Sequence, residues 1–190
     1  MEKLCVFCGS SKGINNAYVA AAKRLGKLMA EQKIELIYGG GSIGIMGELA
    51  NAVLENGGRV TGVIPKFLYD KEVGHDDITK LIIVETMHER KMTMASLSEG
   101  FLALPGGIGT LEELFEIYTW NQLSLVKHPV ALLNVEGYFD ELIRFMEKME
   151  KEGFIRSHTQ NILIKCNDVE QVLHRMRDHK SGRDMDLSIT

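Results

Sequence analysis

Two segments hold the side chains best suited to chemistry: "MHERKMTMA" (Met87–Ala95) and "PGGIGTLEELFEIYTW" (Pro105–Trp120). In the first, Arg90 and Lys91 fall in the opening turns of an expected helix, where cations oppose the macrodipole. Taken alone, they read as solvated basic residues beside Glu89. At the mouth of an anion-binding edge, the arginine would instead contact a phosphate bidentately or stabilise developing charge. In the second segment, Thr110 as N-cap would put Glu113 at N3, a capping box. On the same helix Leu111, Leu114, Phe115 and Tyr118 form one apolar stripe. Glu113 falls off it, in line with Ile117 and Trp120, while Glu112 shares a side with Glu116. A carboxylate flanked by apolar groups at a ligand cleft has a raised pKa and can do acid or base work. Cap and catalyst are both open for Glu113. The second apolar face suggests packing against another subunit.

These residues need a scaffold. Strand-like apolar runs begin at Lys3 ("KLCVFC"), Ile34, Arg59, Lys80, Gly100 and His128. Helical periodicity fills the gaps, in "NNAYVAAAKRLGKLMAEQ", "GIMGELANAVLENGG", "MHERKMTMASLSEG", "TLEELFEIYTWNQL", "YFDELIRFMEKMEKEGF" and "DVEQVLHRMRDH". Near-continuous apolar strands alternating with helices predict an α/β fold: a Rossmann-like, doubly wound parallel sheet with helices on both faces. Ligands then bind at the carboxyl ends of the strands. The 190 residues suit a single domain spanning 1–190, without linker or repeat, and with residues from about 180 to 190 frayed or lying on a partner.

Three strand-to-helix junctions are rich in small residues: "CGSSKG" (Cys8–Gly13), "YGGGSIGIMG" (Tyr38–Gly47) and "PGGIGT" (Pro105–Thr110). Glycine lets backbone approach a ligand, and the following helix offers free N–H groups, so together they predict a phosphate cradle. The competing reading is tight turns and close packing. Gly39, Gly41 and Gly44 spell G-x-G-x-x-G, but no acidic residue ends the next strand to hold a ribose. No Walker lysine follows either loop.

Composition excludes much else. A net charge of -4 argues against general nucleic-acid binding. No apolar run reaches the roughly 20 residues of a membrane span. The opening "MEKLCVFCGSSKG" has no signal-peptide progression, which predicts a cytoplasmic protein. Cys5 and Cys8 form a C-x-x-C within a strand, where residues three apart face opposite ways; with Cys166 they read as reduced, buried thiols. No metal is expected. His75, Asp76 and Asp77 read as a solvated loop, and His88, His128, His158, His174 and His179 are scattered. No cofactor is expected either, and no lysine has a Schiff-base context for a pyridoxal-phosphate decarboxylase.

"GGGSIGIMG", "MHERK" and "PGGIGTLEE" together resemble the signature of the Lonely Guy family, cytokinin riboside 5′-monophosphate phosphoribohydrolases long mislabelled lysine decarboxylases. The similarity runs from "CVFCGSS" to "LLNVEGYFDELIRFMEKMEKEGFI". It implies hydrolysis of the N-glycosidic bond of adenine-type nucleoside 5′-monophosphates, giving free base and ribose 5-phosphate. It implies Arg90 and Glu113 as the catalytic pair. Around the substrate it places Lys91, Gly106, Gly107, Ile108, Gly109, Thr110, Leu111, Glu112, Thr119 and Glu72, with Gly40 and Gly41 from the upstream loop. It also implies a homodimer with sites near the subunit interface. Met46, Met92 and Met94 are candidates for a flexible wall around the base, or for core. The alternative is a non-catalytic nucleotide or cofactor carrier or sensor of the same fold, which would not need Arg90 and Glu113 together.

Overall fold

The computed structural model describes residues 1–72, 74–156, 159 and 161–179, the side chains of residues 70 and 72 excepted. The six apolar runs and one further segment form the strands β1 (Lys3–Phe7), β2 (Glu35–Tyr38), β3 (Val60–Pro65), β4 (Lys80–Val84), β5 (Phe101–Ala103), β6 (Val130–Leu133) and β7 (Leu163–Cys166). All pair in parallel in one sheet of order β4-β3-β2-β1-β5-β6-β7. The helices are α1 (Asn16–Glu31), α2 (Gly44–Glu55), α3 (Lys66–Glu72), α4 (Met87–Leu97), α5 (Ile108–Gln122), α6 (Asp140–Lys151) and α7 (Val169–Asp178). This is the expected doubly wound class.

Two elements go beyond the sequence reading. β7 is only "LIKC", and its lysine interrupts the apolar run; tertiary pairing with β6 makes it a strand. α3 is seven residues, too short for helical periodicity to show, and it follows β3 without a loop. The expected tail from 180 onward and His158 lie outside the described residues.

Both faces of the sheet are covered. On one, Leu25 and Met29 of α1, Leu49 of α2 and Leu173 of α7 pack against Leu4 and Val6. On the other, Met94 of α4, Leu114 and Tyr118 of α5 and Met146 of α6 meet Cys5 and Phe7. Truncating fully buried Leu25 to Ala would cost about 2–5 kcal/mol by cavity formation. The strand period splits the C-x-x-C as expected, with Cys5 in one core, Cys8 in the other, and both free. Burial, and after it the Glu113 carboxylate, push both thiols well above the ordinary range, so neither is a nucleophile.

From β1 the chain winds to β2, β3 and β4 on one side, while β5, β6 and β7 extend the other. The crevice between the loops leaving β1 and β5 is therefore the topological switch point, where a ligand is expected. No helix among the described residues is long and apolar enough to cross a membrane.

Candidate active site

α5 begins earlier than the capping-box reading requires. Its N-cap is Gly107, and no side chain caps it. Thr110 is turned inward, 4% exposed, with its Oγ1 against Gly106 where a Cβ would collide. It cannot serve as the cap, and Glu113 in the second turn lies too far along to answer one. The expected capping box at Thr110–Glu113 is thus overturned. The first helical bond runs from the Leu111 N–H to the Gly107 carbonyl at 3.2 Å. The N–H groups of Ile108, Gly109 and Thr110 accordingly have no acceptor within the helix.

A T-x-x-E cap occurs instead at the start of α4, its glutamate reaching back to the residue before the cap. Thr86 Oγ1 accepts from the Glu89 N–H at 3.1 Å, and Glu89 Oε2 accepts from the Glu85 N–H at 2.8 Å. That cap fixes the turn carrying Arg90 and Lys91. Arg90 is only 7% exposed, and its guanidinium lies so close over Gly39 that a methyl there would collide with it. Its Nη1 is 3.9 Å from Met87 Sδ. Its Nε is buried with no partner, and it pairs with no carboxylate among the described residues. A desolvated cation without a counterion is costly, and an anionic ligand would relieve that cost.

Across from Arg90, burial pushes half-buried Glu113 up to about 7; Arg90 and Lys91 oppose the rise, while Glu112 and Glu116 add to it. Lys91 Nζ donates to Glu112 Oε1 at 2.5 Å and to Glu116 Oε1 at 3.0 Å. Burial works to lower its pKa, but these two carboxylates outweigh that and hold it above the ordinary lysine value. Both ion pairs stand beside Glu113, whose charge they leave unpaired.

A cavity of about 310 Å³, near the small end of ligand sites, opens at the switch point. Gly9 and Ser10 after β1, Gly39 after β2, Arg90 of α4 and Gly107 to Thr110 with Glu112 and Glu113 of α5 line it. Of the residues singled out in the sequence, Gly106, Leu111, Lys91, Thr119, Gly40 and Gly41 do not line it. Leu111 packs on the core, and Thr119 donates to the Phe115 carbonyl at 2.7 Å on an exposed part of α5. The side chain of Glu72 lies outside the described residues. Met46 borders the cavity, Met94 is core, and Met92 is exposed elsewhere. Sequence reasoning missed Leu68 on α3 and Met87, although Met87 opens the quoted "MHERK".

The loop after β2 behaves differently from the expected cradle. The N–H groups of Ile45 and Met46, which open α2, are taken by the Gly9 carbonyl at 3.0 and 3.3 Å. Gly40 accepts from the His75 N–H at 3.0 Å, and Gly41 bridges Gly74. His75 is buried, with Nε2 2.8 Å from Asn51 Oδ1, so the solvated-loop reading fails for it: that loop is tied down on the glycines. Among the described residues, no cluster of His, Cys, Asp and Glu could hold a metal ion.

Known proteins share this arrangement at two levels. Molybdenum cofactor carrier proteins superpose over nearly the whole fold. The one from Chlamydomonas reinhardtii matches with TM-score 0.68 and 20% identity over 93% of this chain and 96% of its own. A molybdenum cofactor binding protein from Rippkaea orientalis matches with TM-score 0.69 and 20% identity over 93% and 95%. At that identity the likeness concerns the fold alone. In sequence, a family model described as "Possible lysine decarboxylase" matches residues 46–176. The cytokinin riboside 5′-monophosphate phosphoribohydrolase LOG2 of Arabidopsis thaliana is 42% identical over 96% of this chain and 86% of its own length. LOG of Oryza sativa subsp. japonica is 44% identical over 94% and 74%. The chain belongs to this family, that of the cytokinin riboside 5′-monophosphate phosphoribohydrolases.

Proposed function

We propose that the protein hydrolyses the N-glycosidic bond of adenine-type nucleoside 5′-monophosphates, releasing the base and ribose 5-phosphate. The observation that carries the chemistry is that Glu113, held up to about 7 by burial, shares the cavity with a buried Arg90 that forms no salt bridge among the described residues. Around them stand the open amides of α5. Those amides and Arg90 suit a phosphate-bearing substrate. Glu113, in its ionised form, takes a proton from water or stabilises the positive charge that develops at the ribose C1′. Water adds its oxygen at C1′, the C1′–N bond breaks, and the base leaves with the bonding pair and a proton. Lys91 supports the charge balance of Glu113 from behind.

Decarboxylation of lysine through a Schiff base finds no support: Lys91 is clamped by Glu112 and Glu116 in its protonated, non-nucleophilic form. A carrier would need the amides but not a carboxylate tuned near neutrality. A homodimer is part of the proposal. Met92 and Leu125, each more than half exposed, flank a depression bordered by Trp120, a face suited to a second copy of the chain. A cytoplasmic location is proposed too, in keeping with three free, buried thiols.

Incubation with AMP, and in parallel with an N6-prenylated AMP, should release free base detectable by chromatography. Glu113→Gln should lower turnover by about 10²–10⁴-fold, the usual worth of a positioned acid or base, with nucleotide binding largely kept. Undiminished turnover in that variant would refute the assignment.

A further inference from the structure

Gly107, the N-cap of α5, lines the cavity, and the carbonyl of the peptide that carries its N–H is held by a residue outside the cavity. Tyr138 stands just beyond β6 and does not line the site. Its hydroxyl donates to the Gly106 carbonyl at 2.6 Å. All described peptide bonds are trans. In a trans peptide the C=O and the next N–H point in opposite directions. Holding the Gly106 carbonyl toward Tyr138 therefore turns the Gly107 N–H away from Tyr138, and Gly107 is one of the residues that line the cavity.

The turn that presents Tyr138 is itself built for the purpose. Glu136 and Gly137 both take positive φ, 51° and 70°, an uncommon conformation for glutamate. Buried Asn134 clasps that turn: its Oδ1 accepts from the Phe139 N–H and its Nδ2 donates to Asp140 Oδ1, each at 2.7 Å. The Tyr138 ring is fixed edge-on between Tyr18 of α1, centroids 5.3 Å apart, and Phe139 at 4.8 Å. A strained turn, a polar clasp and two aromatic contacts thus converge on one hydroxyl whose partner is the loop carbonyl.

We propose that Tyr138 is a positioning residue for the phosphate end of the substrate, acting through the Gly106–Gly107 peptide plane. This rests on the reading of the α5 amides as the phosphate cradle. Its effect falls on the phosphate and leaves the base untouched.

Tyr138→Phe removes the hydroxyl and keeps the ring packing. The expected result is a rise of about fivefold to tenfold in KM for AMP with kcat changed by less than twofold, in line with loss of one hydrogen bond. Inhibition by ribose 5-phosphate should weaken by the same factor, whereas inhibition by free adenine should not move. Tyr18→Phe, which keeps its ring contact, serves as the control and should match wild type. Equal weakening toward adenine and ribose 5-phosphate would mark Tyr138 as merely structural and overturn the proposal. So would wild-type constants throughout. Should the wild-type protein release base from neither AMP nor N6-prenylated AMP, the functional reading falls; titration with inorganic phosphate would then still test Tyr138, with equal affinity in Tyr138→Phe and wild type counting against it.

Discussion

The loops after β2 and β5 look alike in sequence, "GGGSIGIMG" and "PGGIGT", and both feed a helix over the same sheet edge. Structurally they do opposite things. At the first, the opening amides of α2 are spent on the Gly9 carbonyl, and a Cβ on Gly44, at φ +67°, would drive into the Ser10 backbone. At the second, a Cβ on Gly107 or Gly109 would meet nothing within 4 Å, and the opening residues of α5, whose amides have no acceptor in the helix, line the cavity. Small residues at a helix start therefore mean packing in one place and access in the other. What distinguishes them is where the amides go.

The comparison can be broken by perturbing each loop in turn. The largest effect is expected at Gly44→Ala, where a left-handed backbone and a backbone clash combine. Strain of about 1–3 kcal/mol plus the displacement of Ser10 should remove a large part of the folding free energy, seen as a lowered midpoint in chemical denaturation. A midpoint close to wild type would show that the first loop is no more packed than the second.

Next in size is the linkage at Glu113. Its native pKa, about 7, is above the ordinary carboxylate value, so the folded protein holds this proton more tightly than the unfolded chain does. Wild-type stability should consequently fall as pH rises from about 4.5 to about 7, then level off. Glu113→Gln escapes that loss. It should melt higher than wild type at pH 8, by an amount on the order of 2–3 kcal/mol, and should lose the advantage at pH 5. In activity the sign reverses: kcat/KM of the wild-type enzyme should climb through pH 7 as the carboxylate ionises. An acid limb at the ordinary carboxylate value would show that burial does not tune Glu113.

The smallest effect sharpens the contrast. Gly109→Ala sits in the first turn of α5 with open space around it. Alanine favours helix over glycine by up to about 1 kcal/mol, so thermal stability should hold or rise slightly. The same methyl projects at the cavity wall, so kcat/KM for AMP should fall severalfold. A joint loss of stability and activity would place this loop with the packed one.

Most of the scaffold was legible because it depends on local pattern. Apolar runs disclosed β1 to β6, and helical periodicity disclosed every α-helix among the described residues but α3, which has only seven residues. β7 stayed hidden behind Lys165. At the site, residue types alone left Arg90 open to a solvated reading and Glu113 to a capping one, and it was the family resemblance carried by "MHERK" and "PGGIGTLEE" that pointed to them as a pair. Other features were beyond local reading. Thr110 abandons the cap only because Gly106 leaves room for its side chain. His75 is buried only because Gly40 and Asn51 meet it from elsewhere in the chain. Tyr138 reaches Gly106 across 32 residues, a contact with no trace in spacing or periodicity.

The central place of β1 also sets an order of events in folding. β1 pairs on one side with β2, Cys5 against Ile37, and on the other with β5, Cys5 against Phe101. The second pairing closes a loop of about a hundred residues, and such distant contacts form slowly. The loops that bound the cavity leave these same two strands. During refolding, helical signal and the β1–β2 half should therefore recover before any hydrolytic activity does, because the half-sheet alone, although it seats Arg90 over Gly39, would not bring Glu113 in reach of a substrate.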